Sequence, residues 1–233
     1  PGRGVVRFII YQTLAMPFIL FSGWMLAGVE ASPGDISTTL QSGVMVTMGF
    51  AFLFAVFPLY NWIPQLMEET MPYATGFLLW ALPTFTTIFA LGFLDRYTWL
   101  HNTPQIANAI LFAGVIMTAT SGIFGALQRH LGRLLGYAAI AETGLLLVAL
   151  GLRSSEIVNI IFLTLIPRGL ELSVWALALS IIKRKAYLLK FSDAQGLARK
   201  YPFAAGAIVI AHLSVAGFPL LAPFIAVGLY DVS

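Results

Sequence analysis

This sequence contains no cysteine and little charge: Asp, Glu, Lys and Arg together make up 10% of its 233 residues. The first absence excludes disulfides, thiolate zinc sites and cysteine-ligated iron–sulfur clusters. The second excludes a conventional soluble domain, in which about a quarter of the residues are charged. A phosphate-binding glycine loop, a zinc ligand set and a nucleophile triad are also missing. No cofactor, metal or redox site is therefore expected within the chain.

What is present is apolar. Hydrophobic residues are 59% of the chain, and they fall into seven runs near the length of about 20 residues that a membrane span needs. The runs predict helix A over Val5–Ala27, B over Thr39–Phe57, C over Tyr73–Phe93 and D over Ile106–Leu127. They further predict E over Leu134–Leu152, F over Ile157–Ile182 and G over Phe203–Tyr230. A stretch such as Glu142 to Leu150 does not alternate polar with apolar residues, which argues against a transmembrane barrel. The expected fold is all-α, a polytopic transmembrane bundle of about seven spans. Residues 1–233 form one transmembrane domain in this reading. The chain starts at Pro1 without methionine and stops at Ser233 just after an apolar run, so part of a longer protein is expected.

The few cations are unevenly placed. With seven spans, one side holds Arg3, Arg7, Arg129, Arg133, Lys183, Arg184, Lys185, Lys190, Arg199 and Lys200. The other side holds Arg96 and Arg153, and Arg168 lies inside helix F. By the positive-inside rule the rich side, with the N-terminus of this segment, is cytoplasmic. The basic F–G loop adjoins two spans, so it reads as headgroup contact and topology, and no nucleic-acid partner is expected. Lipid is the expected solvent.

Two helices look broken. Helix B runs into Phe57-Pro58-Leu59-Tyr60-Asn61-Trp62-Ile63-Pro64, and helix G contains Ala216-Gly217-Phe218-Pro219-Leu220-Leu221-Ala222-Pro223. Proline frees a carbonyl four residues back, and in lipid such a break is tolerated where it is buried or lines a wet cavity. Pro58 and Pro219 are thus the candidate breaks. Paired interruptions point to a transport site, while ordinary proline kinks are the simpler alternative.

The same residues carry a resemblance. Phe57 to Pro64 resembles the Phe-Pro-x-His-x-Trp-Leu-Pro signature of the antiporter-like subunits of respiratory complex I, shared by Mrp cation/proton antiporters and membrane-bound hydrogenases. Gln128 to Gly144 is similar to their Gln-x-Asp-Leu-Lys-Arg-Leu-Leu-Ala-Tyr-Ser-Ser-Ile-x-His-x-Gly. Leu197 to Pro202 and Leu213 to Pro219 match the entry to their second broken helix. The resemblance implies a core of about fourteen helices with inverted repeats, of which this chain covers roughly the sixth to twelfth. It also implies a place in a multi-subunit, proton-translocating NADH-quinone oxidoreductase or related assembly in an energy-transducing membrane, with other membrane subunits as partners.

The resemblance implies, too, a buried line of ionisable residues, and here the chain departs. Leu53, Tyr60, Pro83–Thr84, Gly132 and Val227 stand at or near positions where the family carries lysine or histidine. Two roles follow for the chain: a proton-conducting subunit, or a non-conducting relative that packs within a larger membrane complex. An unrelated small transporter is a third.

The candidate site is what remains charged. Glu142 is about nine residues into helix E, roughly 13 Å below the rich side, and Arg168 is about eleven residues from the other end of helix F, roughly 16 Å deep. In a hydrocarbon core of about 30 Å these depths match. Glu171 lies one turn from Arg168 on the same face. A static ion pair and a proton path are the two readings; arginine, which holds its proton firmly, favours the first. His212, beside the second break, reads as a titrating group or a hydrogen-bonded packing residue. Glu68 and Glu69 are expected to be solvated, and Trp62, Trp80, Trp99 and Trp175 to anchor at the interface or face lipid.

Overall fold

The computed structural model describes residues 2–31, 36–97, 99–100, 103–152, 155–184, 189–192 and 195–217. Long helices carry the architecture: α1 (Arg3–Ala31), α2 (Ile36–Leu53), α4 (Pro72–Arg96), α5 (Pro104–Ala126), α6 (Leu131–Leu152) and α7 (Ser155–Lys183). Shorter ones are α3 (Trp62–Glu69), α8 (Leu197–Lys200) and α9 (Pro202–Val215). Among the described residues, five helices, α1 and α4 to α7, are long and apolar enough to cross a membrane. The chain is an integral, multi-pass membrane protein. The only β pairing among these residues is an isolated antiparallel bridge between His130 and Lys190.

The apolar runs become helices because a backbone surrounded by lipid must satisfy its own hydrogen bonds. The core sits where α3, α6 and α7 meet. Leu135, Ile140, Leu172, Trp175 and Leu179 are each 0% exposed there. α6 is the central helix, packed against α5, α3, α4 and α7. Along α5 the buried positions Ala107, Gly114, Met117, Ser121 and Gly125 form a stripe at helical spacing. The opposite faces of α1, α4, α5 and α7 expose large apolar side chains, including Trp24, Phe85, Phe112 and Ile166.

α5 and α6 approach at a glycine seam. A Cβ on Gly114 would stand 2.6 Å from the Gly144 carbonyl, and one on Gly151 would stand 2.8 Å from the Leu111 backbone nitrogen. Small residues permit this contact, the usual means by which membrane helices pack closely.

Helix B differs from the sequence expectation. α2 stops at Leu53, four residues before Phe57, in a Schellman arrangement: Ala55 N–H donates to Phe52 O at 3.2 Å and Val56 N–H to Ala51 O at 2.9 Å. Ala55 takes the left-handed conformation, φ 51°, that glycine usually supplies. The Phe57–Pro58 peptide is cis, and a 3₁₀ turn over Leu59–Asn61 leads into α3. Pro58 itself lies at the surface, while Phe54, Ala55, Tyr60 and Trp62 around it are buried. The interruption is therefore held by the buried residues that flank the proline. The stretch between the expected helices B and C holds the helix α3, whose Trp62, Ile63, Leu66 and Met67 are buried. Helix G is described as α9 to Val215, followed by Ala216 and by Gly217 at φ 74°. Pro219, Val227 and the rest of the expected helix lie outside the described residues.

Candidate functional site

One rim of the bundle gathers the start of α1, the end of α3, the start of α6 and the end of α7. Gly4 N–H donates to Glu69 Oε2 at 2.8 Å, and Arg7 Nη1 to Gln65 Oε1 at 3.0 Å. Arg133 Nε donates to Glu68 Oε2 at 2.6 Å. Lys183 Nζ donates to the Thr70 carbonyl at 2.7 Å, a cation at the carbonyl end of α3 as its dipole favours. Glu68, expected from sequence to be solvated, keeps a side chain 36% exposed and is also paired with Arg133.

At the same rim His130 stands immediately before α6. Its Nδ1 accepts hydrogen bonds from the backbone N–H groups of Gly132 (3.1 Å) and Arg133 (3.3 Å), so the ring caps the helix. Burial is the main cause that lowers its pKa from 6.5; Arg133, Lys183 and Lys190 add to this and Glu68 opposes it.

The buried charges lie deeper. Arg168 Nε donates to Glu142 Oε2 at 2.9 Å, linking α7 to α6. Its Nη2 donates to Thr143 Oγ1 at 2.8 Å and lies 3.4 Å from the Ala139 carbonyl. Glu171 is one turn along α7 and lines the same space as Glu142 and Arg168. Glu142, Arg168 and Glu171 are 7%, 4% and 7% exposed. The structure brings these three candidates together. His212 is placed apart from them: its exposed ring makes an edge-on contact with Trp175, centroids 5.2 Å apart.

Sequence reasoning missed Thr143, which follows Glu142 directly and accepts from Arg168 Nη2. It also misassigned two tryptophans. Trp62 is 2% and Trp175 0% exposed, so both are core residues. Trp80 is half-buried and donates Nε1–H to the Leu165 carbonyl at 3.0 Å, its indole lying where Gly169, next to Arg168, leaves room. Trp99 is also half-buried.

Among the described residues the cluster is not fully satisfied. Glu142 Oε1, Arg168 Nη1 and Glu171 Oε2 are buried with no hydrogen-bond partner among the described residues. All three residues line a cavity of about 260 Å³ that extends past Thr164 to Ser214 and Gly217 at the end of α9. On the other side, Thr143 and Ala139, the acceptors of Arg168 Nη2, border a gap of about 10 Å³ walled by Leu53, Trp62, Leu79 and Pro83. The first space has room for several waters and the second for one at most.

Subunit N of the NADH-quinone oxidoreductase of Maricaulis maris is 26% identical over 233 residues, covering 94% of this chain and 48% of that protein. Subunit N from Desulfitobacterium hafniense is 26% identical over 230 residues, covering 88% and 44%. Among solved structures, the Mrp complex from Dietzia sp. has a chain that superposes with TM-score 0.80 at 16% identity, over 98% of this chain and 44% of that one. A chain of respiratory complex I from Thermus thermophilus superposes with TM-score 0.68 at 20% identity, over 98% and 51%. The chain spans about half the length of the curated relatives it matches. Residues 34–229 match the family described as NADH:quinone oxidoreductase/Mrp antiporter, transmembrane, and the chain belongs to that family.

Proposed function

We propose that this chain is the central membrane segment of an antiporter-like subunit in an NADH-quinone oxidoreductase-type assembly, and that Glu142 and Glu171 pass a proton beside the fixed charge of Arg168. The observation that carries this reading is the set of buried atoms on Glu142, Arg168 and Glu171 that have no partner among the described residues, around a cavity of about 260 Å³. A static pair that served packing alone would leave fewer such atoms, because each unsatisfied buried polar group costs about 1–3 kcal/mol. Waters in the cavity would satisfy them and carry protons. With both carboxylates ionised the cluster holds two negative charges against one positive, so uptake of one proton neutralises it. Arg168 keeps its charge and holds Glu142 in place. Other membrane subunits are the partners in this reading, and the rim that carries Arg7, Arg133 and Lys183 faces the cytoplasm. The single transmembrane domain would be completed by helices beyond this segment.

A second reading has its own observation in its favour. Leu53 and the gap of about 10 Å³ close the far side of Arg168, which suits a non-conducting relative that packs within a large membrane complex. Glu142→Gln in the assembled complex, reconstituted in proteoliposomes, separates the two. The proposal expects proton movement to be lost with assembly intact. Unchanged proton movement would favour the packing role.

A further inference from the structure

Residues 189–192 lie beside the α5–α6 turn, and an open basin of about 510 Å³ stands between residues 128–133 and 190–192, with Glu68 on its wall. Two backbone bonds fix its sides: Leu131 N–H to Leu189 O at 2.8 Å and Phe191 N–H to Arg129 O at 3.1 Å. Three cations line it, Arg129, Arg133 and Lys190, against the single carboxylate of Glu68. That carboxylate is already taken by Arg133. Among the described residues, no carboxylate lies within ion-pair distance of the exposed Arg129 or Lys190. Among the described lining residues, cations outnumber carboxylates three to one.

Its setting narrows the ligand. The last turns of α5, which lead into Gln128 and Arg129, expose Ile123, Phe124 and Leu127 at 63%, 44% and 71%. Phe191, at the basin's edge, is 48% exposed. A basic hollow thus adjoins the apolar face at the end of a membrane-length helix. A free anion would use the first feature and leave the second bare, whereas a phospholipid uses both. Arginine beside lysine suits a phosphodiester, since the guanidinium fork matches phosphate oxygens and the ammonium adds a mobile charge.

We propose that this basin binds the phosphate headgroup of an anionic phospholipid, held by Arg129 and Lys190, with its acyl chains along Ile123, Phe124 and Leu127. The site is independent of the proton reading: Arg129 and Lys190 do not touch the Glu142–Arg168 cluster.

The experiment uses the affinity-purified full-length protein with its co-purifying subunits, in phosphatidylcholine vesicles that contain a photoactivatable cardiolipin probe. Crosslinks are mapped to peptides, with photoactivatable phosphatidylcholine as the control probe and inorganic phosphate as competitor. Labelling is expected on the peptides that hold Ile123–Arg133 and Leu189–Ser192, by the anionic probe only. The double variant Arg129→Gln/Lys190→Gln should weaken it about 30-fold, at about 1 kcal/mol per basic residue near an anionic surface. Proton movement and the melting temperature check that this variant remains folded. Equal labelling by the zwitterionic probe, or undiminished labelling of the variant, would overturn the proposal. Competition by millimolar phosphate would overturn it in favour of a free-anion site.

Discussion

Arg133 of α6 holds Glu68 of α3 at the rim, its Nε 2.6 Å from Oε2. The pair ties the short second half of an interrupted helix to the central helix, yet the two side chains are 41% and 36% exposed. The Arg168–Glu142 pair has similar reach, with side chains only 5% and 8% exposed. Water decides which of the two matters to stability.

Arg168→Leu should therefore destabilise the protein by about 3–5 kcal/mol, since it strands a buried carboxylate. Adding Glu142→Leu and Glu171→Leu should recover a large part of that loss. Arg133→Leu should cost no more than about 1 kcal/mol. Thermal melts of the detergent-purified variants measure all three. An Arg168→Leu protein that melts like the parent would contradict the assignment.

Stability should fall in acid through His130. Its folded-state pKa is lowered from 6.5, so the unfolded chain binds the proton more tightly. The cap is at full strength above pH 6.5 and is lost as the pH falls from there through the folded value. Protonated Nδ1 can no longer accept from Gly132 and Arg133, a loss of about 1 kcal/mol. His130→Asn, which accepts at any pH, should flatten this part of the pH–stability curve; a curve unchanged by the substitution would assign the acid loss to other groups.

Much of this was legible in the sequence. The long helices follow from run length, and the proximity of Glu142 to Arg168 follows from matched depths on consecutive antiparallel helices. α3 was not legible because its eight residues are too few for a membrane-length window and include Gln65, Glu68 and Glu69. The end of α2 was misjudged because Pro58 is the visible breaker. The helix in fact closes at Ala55, a residue with no preference for the left-handed conformation it adopts. Trp62 and Trp175 were misread because an indole suits an interface as well as a core. Thr143 is an ordinary small polar residue until Arg168 is seen beside it.

Ala55→Val should lower the melting temperature more than Ala55→Gly. Valine meets the left-handed strain with a branched side chain in a site 2% exposed, whereas glycine relieves the strain at the cost of one methyl. The difference should exceed about 1 kcal/mol; equal melting temperatures would show that the turn tolerates either shape.

Topology can be read by labelling. This segment has no cysteine, so Ser192→Cys, with any cysteine elsewhere in the protein replaced, supplies a single thiol on the rim with the basic residues. An impermeant maleimide should leave it unlabelled in intact cells and label it in inverted vesicles. Labelling from outside would reverse the proposed orientation.

The seam between α5 and α6 can be tested by contrast. Gly144→Ala should destabilise by about 1–3 kcal/mol, because its new methyl would meet Gly114 O and Thr118 N, each 2.9 Å away. Gly122→Ala, with nothing within 4 Å, should be neutral or stabilising by up to about 1 kcal/mol. That seam also has a mechanical meaning. Where backbone lies on backbone there is no deformable layer of side chains to absorb a shift, so α5 and α6 tilt and slide together as one beam. One face of the beam bears Glu142; the other presents Phe112, Val115 and Ile123 outward. A shift of α6 at Glu142 would therefore carry α5 with it, and with α5 the outward-facing Phe112, Val115 and Ile123.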